Sequence, residues 1–159
     1  MKELTYRKAT IKDLERISYL MTMLHTDTGY ENLLAENKYF INKGAFFVAL
    51  DNSCEKQDEM EIVGYVFGLI RTDYVEESEQ YRDPKVGYIE SLFVLPEYRH
   101  RGVARELCKR LEEWAKEKGA LEMGSDAYMA NAESRAFHKA IGFRESEPII
   151  HFIKRIGDI

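Results

Sequence analysis

Two cysteines in 159 residues leave no basis for a disulfide framework. Cys54 lies in a polar stretch and Cys108 inside a helical pattern, and no His/Cys cluster has zinc-ligand spacing, so no metal is expected. No apolar run is long enough to span a bilayer. The opening Met1-Lys-Glu-Leu-Thr-Tyr-Arg-Lys8 has no apolar segment of secretory type, which makes the cytoplasm the expected compartment and argues against a membrane partner. Repeats and linkers are missing too. Positive charge is in deficit: a net charge of −5, without an aromatic-basic surface pattern, argues against nucleic acid and leaves room for a cationic small-molecule substrate. What remains is 45% hydrophobic and 32% charged, the balance of a soluble chain folding as one domain, 1–159, around a single core.

The periodicities alternate between two kinds. Residues 4–9 read as a short strand, Thr10-Ile-Lys-Asp13 resembles a capping box, and Leu14, Ile17, Met21 and Leu24 follow at helical spacing. A second helix is expected from Glu31 to Asn42, ended by Gly44, then a strand from Ala45 to Leu50. Asp51 to Glu61 is polar, a hairpin loop, and Ile62 to Ile70 is apolar enough to be covered on both faces. After an acidic stretch, Asp73 to Asp83, comes a strand from Val86 to Leu95. A helix then carries Val103, Leu107, Leu111 and Trp114 on one side, with Gly119 ending it. A short strand from Leu121 to Ser125, a helix from Asn131 to Ile141 with Gly142 after it, and a final strand from Ile149 to Ile153 complete the pattern. Early hairpins followed by β, α, β, α, β imply an α/β fold: one mixed, mostly antiparallel sheet flanked by helices.

Arg99-His-Arg-Gly-Val-Ala104 joins a strand to a helix. Backbone N–H groups point outward at such a helix start, and the helix dipole favours an anion. Gly102 permits close approach of a phosphate, and Ala104 keeps the next turn slim. The alternative is an ordinary basic turn on the surface.

Leu95-Pro-Glu-Tyr-Arg-His-Arg-Gly-Val-Ala104 resembles the acetyl-CoA pyrophosphate loop of the GNAT N-acetyltransferases, Arg/Gln-x-x-Gly-x-Gly/Ala, met by Arg99, Gly102 and Ala104. A second block, Asn131-Ala-Glu-Ser-Arg-Ala-Phe-His-Lys-Ala-Ile-Gly-Phe143, is similar to another motif of that superfamily, in the same order. Within it, Arg71-Thr-Asp-Tyr-Val75, Tyr88-Ile-Glu-Ser-Leu-Phe-Val-Leu-Pro-Glu97, Gly124-Ser-Asp126 and Gly142-Phe-Arg-Glu-Ser-Glu147 resemble aminoglycoside 6′-N-acetyltransferases. Those enzymes tend to carry Trp near the end of the first helix, where this chain has Met23-Leu24-His25. The resemblance implies a GNAT-type sheet splayed at the acetyl-CoA site and acetyl-CoA as cosubstrate. It further implies direct transfer to a primary amine, foremost the 6′-amine of an aminoglycoside, and a homodimer. Another small amine or a peptide or protein amine is the alternative acceptor, and a non-catalytic acyl-CoA sensor the alternative class.

The same resemblance distributes the roles. Leu92, Phe93 and Val94 would pair with the pantetheine arm, a bulge there offering an N–H to the thioester oxygen. Arg99, His100, Arg101, Gly102, Val103 and Ala104 would hold the pyrophosphate. Arg101, Arg105 and Lys109 share a helix face that meets the 3′-phosphate or is simply solvated. Glu90 interrupts an apolar strand, where a charge needs a partner or a task; it is general base or amine-binding carboxylate, or else half of a structural ion pair. Asp126 binds an ammonium group or forms a turn. Glu147 and Tyr74 are carried over to the acceptor site. Asn131 fits an N-cap and, by resemblance, a pantetheine contact. His138 stands where many members place a Tyr that protonates the departing thiolate, or is a helix residue bonded to backbone. Neither cysteine offers a convincing nucleophile.

Overall fold

A computed structural model describes residues 4–53, 61–72 and 85–158. They fall into two compact units, Met1–Ser125 and Asp126–Ile159. The first is built on five strands in the order β1-β2-β3-β4-β5: β1 (Leu4–Lys8), β2 (Ala45–Asp51), β3 (Glu61–Arg71), β4 (Val86–Val94) and β5 (Glu122–Gly124). Neighbours are antiparallel except β4 and β5, so the sheet is mixed and mostly antiparallel, as the element pattern predicts. Residues 62–68 of β3 are all buried, in line with an apolar run covered on both faces.

Helices α1 (Leu14–Leu24) and α2 (Tyr30–Phe40) cover one face. Leu14, Ile17, Leu20 and Met21 of α1 and Leu33 of α2 pack with Phe46, Val48, Tyr65, Phe67 and Phe93. At the start of α1, Asp13 reaches back to the Thr10 N–H at 2.7 Å and accepts both Arg7 guanidinium bonds at 2.8 Å, so the Thr10/Asp13 pair closes the entry as the sequence indicates. Helix α3 (Val103–Glu117) packs on the sheet with Val103, Leu107, Leu111 and Ala115 buried, and Leu111 presses against Gly68 so closely that a Cβ there would meet it at 2.6 Å. Gly119 ends α3 at φ +89°, with Ala120 N–H on Ala115 O and Gly119 N–H on Lys116 O, the paired bonds of a left-handed helix stop.

Gly44 closes the turn that ends α2, its N–H on Phe40 O at 3.0 Å, without a left-handed φ; it is needed for a close approach, since a Cβ there would stand 2.4 Å from the Gly68 carbonyl oxygen. One expectation fails here. The strand expected over Ile149 to Ile153 is absent: 149–153 belong to no strand, and Ile150, Phe152 and Ile153 are exposed. Their β-propensity specifies side chains, whereas a strand also needs a neighbour to bond, and the second unit contains no other strand among the described residues. Among its described residues that unit contains one helix, α4 (Ala132–Ala140), and no strand. Asn131 caps α4, accepting from Ser134 N–H at 3.0 Å, and Gly142 (φ +99°) ends it with the Phe143 N–H on His138 O and its own N–H on Lys139 O.

Candidate active site

Strand β4 is the backbone of the site. On one edge it pairs with β3, but the register slips: Ile89 faces Gly68 and Ser91 faces Phe67, leaving Glu90 as an extra, unpaired residue, a β-bulge. On its other edge β5 pairs only with Val86, Gly87 and Tyr88. From Ile89 to Val94 that edge has no strand beside it among the described residues. Past the bulge, no described strand takes up the main-chain hydrogen-bonding groups on this edge around Leu92, Phe93 and Val94, groups that a linear amide-bearing ligand can pair with.

Glu90 carries the one carboxylate of β4, and its side chain keeps 19% of its exposure. Arg71, the last residue of β3, holds it with two bonds, Nε to Oε1 at 2.7 Å and Nη2 to Oε2 at 2.8 Å. The guanidinium lies 3.9 Å from the centre of the Tyr88 ring, which fixes its plane. The ion pair weighed for Glu90 is thus present. Each carboxylate oxygen has a second acceptor site beyond the one Arg71 takes, so the pair orients the group without exhausting it.

Beyond Val94 the chain enters the glycine loop. Arg99 donates from Nε to the Val94 carbonyl at 2.9 Å, so its side chain ties the loop to the strand end. Tyr98 is buried and donates to the buried Asp51 at the end of β2, a second anchor. His100 (φ +57°) and Gly102 (φ +79°) are both left-handed and flank Arg101. Left-handed residues interleaved in a turn rotate successive N–H groups toward one concave side, an anion-binding shape. A Cβ at Gly102 would meet no protein atom within 4 Å, so the glycine is needed for its φ and for what approaches from outside. No side chain caps α3, whose first amides, from Val103 and Ala104 onward, follow directly. Arg101, Arg105 and Lys109 are exposed, with Arg101 stacked 5.4 Å from the Tyr98 ring. This unit therefore assembles Glu90, Leu92, Phe93, Val94 and Arg99 to Ala104 along one strand–loop–helix path.

The second unit holds the other candidates. Asp126 and Glu147 are exposed. His138 uses Nδ1 to bond the Ser134 carbonyl at 2.7 Å, the backbone-bonded helix histidine weighed from sequence. That bond assigns the Nδ1 proton inward, so proton donation from Nε2 requires the imidazolium. Tyr74 and Cys54 lie outside the described residues. Cys108 is buried and free, and burial pushes its thiol up to about 12, which removes it as a nucleophile.

Sequence reasoning passed over Arg71, Ser91, Tyr65 and His25. Arg71 had a signal, a cation ending an apolar strand that pairs with the strand of Glu90. The other three had none, because their meeting depends on register. It also passed over Glu145, held by Arg135 at 2.7 and 3.0 Å and by Lys139 at 3.2 Å, with its carboxyl lowered to about 2 by those two cations.

Comparison with known proteins adds a family. The sequence model of the Acetyltransferase (GNAT) family matches residues 10–143. An aminoglycoside N(6′)-acetyltransferase type 1 of Acinetobacter genomosp. 13 is 37% identical over 100 residues, 63% of this chain and 66% of that protein. The match thus spans just under two thirds of that curated relative. Two solved structures are similar over nearly the whole chain. Aminoglycoside 6′-N-acetyltransferase AAC(6′)-Ih from Acinetobacter baumannii has a TM-score of 0.83 at 29% identity, covering 98% of this chain and 100% of that one. AAC(6′)-Iy in complex with the bisubstrate analogue CoA-S-monomethyl-acetylneamine has a TM-score of 0.84 at 29% identity, covering 97% and 99%.

Proposed function

The chain belongs to the GNAT acetyltransferase family, and on that premise we propose that it transfers the acetyl group of acetyl-CoA directly to the 6′-amine of an aminoglycoside. The observation that carries this reading is the continuous path from the open edge of β4 into the left-handed loop at the uncapped start of α3. Its chemistry, a strand edge with main-chain groups followed by an anion-binding turn, suits a molecule with an amide-bearing arm at one end and a diphosphate at the other. Acetyl-CoA brings the activated thioester; the rest is done by this chain's own groups.

Main-chain amides of the loop from Arg99 to Ala104 hold the diphosphate, and the arm pairs along Leu92, Phe93 and Val94. An N–H freed at the bulge bonds the thioester oxygen and draws electron density from its carbonyl carbon. Glu90, aimed by Arg71, accepts a proton from the incoming ammonium, directly or through water, so that the amine attacks neutral. The roles in the second unit rest on the family resemblance alone: it gives His138 the return of a proton to the sulfur, Asn131 a contact with the arm, and Asp126 and Glu147 ammonium groups of the acceptor, while Tyr74 is carried over as a flat amphipathic lining of the acceptor site. Positioning of this kind supplies about 7–11 kcal/mol in well-oriented reactions. The names of the relatives, aminoglycoside N(6′)-acetyltransferases, support the acceptor. A cytoplasmic homodimer conferring aminoglycoside resistance is the matching physiological setting, and the apolar side chains exposed over residues 149–156 favour the dimer.

Thiol release from acetyl-CoA, measured against kanamycin, tobramycin and spermidine, tests the acceptor. Turnover with the two aminoglycosides is expected; turnover with spermidine alone reassigns the substrate to the polyamines.

A further inference from the structure

Behind the bulge, three polar side chains from three elements form a chain inside an apolar layer. Tyr65 Oη of β3 lies 2.8 Å from Ser91 Oγ of β4, and Ser91 Oγ lies 3.3 Å from Nε2 of His25, the residue that closes α1. Tyr65 is wholly buried, Ser91 retains 8% exposure and His25 is half-buried, so the chain runs from the core toward the surface. Met21, Phe67 and Phe93 belong to the apolar layer on this side of the sheet. With Tyr65 donating to Ser91, and Ser91 to His25, every hydroxyl proton in the chain is used; the imidazole then carries its own proton on Nδ1. Burial pushes the Tyr65 phenol up, so it remains a donor throughout the working range.

Such a chain is costly to break and therefore selective. A one-residue slip of β4 would turn Ser91 away and strand the Tyr65 hydroxyl in apolar surroundings. The site of the bulge is where the β3–β4 ladder is least able to hold its own register, since Glu90 has no partner there. Ser91 is the first paired residue after it. We infer that His25, Ser91 and Tyr65 form a brace that pins the bulge, with His25 a positioning residue for the Glu90 carboxylate and the Leu92 main chain on either side of Ser91. The inference rests on the acetyl-transfer reading for its catalytic consequence and on geometry alone for its structural one.

Two measurements separate these consequences. Amide hydrogen exchange on the whole protein should show residues 89–92 exchanging about tenfold faster in Ser91→Ala, Tyr65→Phe and His25→Phe, with β1 and β2 unchanged. Steady-state kinetics should show kcat lower by about tenfold or more, because small misplacements are amplified in the rate, while KM for acetyl-CoA stays within about twofold. Ser91→Thr, which keeps the hydroxyl, should restore both. The double variant His25→Phe/Ser91→Ala should lose no more than Ser91→Ala alone. Unchanged exchange at 89–92, unchanged kcat in a folded variant, or losses that add in the double variant each overturn the brace. Should Ser91→Ala fail to fold, Tyr65→Phe and His25→Phe decide on the same readings. Should the wild type acetylate no amine at all, the acetyl-transfer reading falls, and the exchange experiment still decides the brace.

Discussion

At the residue scale the chemistry depends on where single groups are held. Glu90 is bound at both oxygens by Arg71; Gln keeps the size but can accept only one of those two bonds, so the substitution removes the base and half of the clamp together. In Glu90→Gln, kcat/KM should fall by about 10²–10⁴, the usual range for a positioned acid or base. Calorimetric affinity for CoA should stay within about twofold; full turnover would reduce Glu90 to a structural partner of Arg71. Gly102 answers to a different constraint. With φ at +79° and open space where a Cβ would stand, it resists substitution through its backbone and through whatever docks against it. Gly102→Ala should cost about 1–2 kcal/mol of stability and weaken CoA binding, whereas Gly102→Asn should cost less, since Asn visits the left-handed region more readily. Equal melting temperatures for glycine and alanine forms would contradict that reading. Cys108 is predicted silent: in Cys54→Ser protein, an aromatic disulfide reagent should find no reactive thiol until denaturant is added, given a thiol buried and raised to about 12.

At the element scale, what was legible in the sequence is what is decided locally. Asn131 before α4, Gly119 after α3 and Gly142 after α4 act within one turn of chain, and all three ends follow from them. The bulge at Glu90 and the Arg71 clamp are different, because both are consequences of register between strands separated by the acidic stretch. The residues 149–153 were misread for the complementary reason: Ile149 and Ile150 carry a strand's side chains without a strand's neighbour. The entry to α1 joins local and long-range control. Arg7 first, then the Thr10 N–H, hold the Asp13 carboxyl below its ordinary value of 3.8. A carboxylate lowered on folding stabilises the fold fully above its unfolded pKa, and that contribution is lost as pH falls through the lower folded value. Wild type should therefore lose stability from about pH 4 downward more steeply than Asp13→Asn. The variant should also be less stable at pH 7 by about 1–3 kcal/mol, because the half-buried Arg7 loses its partner. Parallel acid limbs for the two proteins would show that Asp13 contributes no linkage.

For the whole molecule, the question is what covers the C-terminal residues. Ile149, Ile150, Phe152, Ile153 and Ile156 are 65–101% exposed, a concentration of large apolar side chains that a lone soluble chain rarely presents. Four of the five are isoleucines, which favour β-structure by residue type, and a strand gains main-chain bonds only by joining a sheet edge. A second copy of the same chain brings the same edge and the same apolar segment, so a two-fold arrangement satisfies both copies at once. Under the homodimer reading, sedimentation equilibrium at micromolar concentration should give twice the mass of 18.6 kDa for the full chain. A chain ending at Pro148 should give the monomer mass and a lower melting temperature, because the dimer's contribution to apparent stability depends on concentration and disappears with the interface. If the full chain sediments as a monomer and the shortened one melts at the same temperature, residues 149–156 have no such partner and the homodimer reading is wrong.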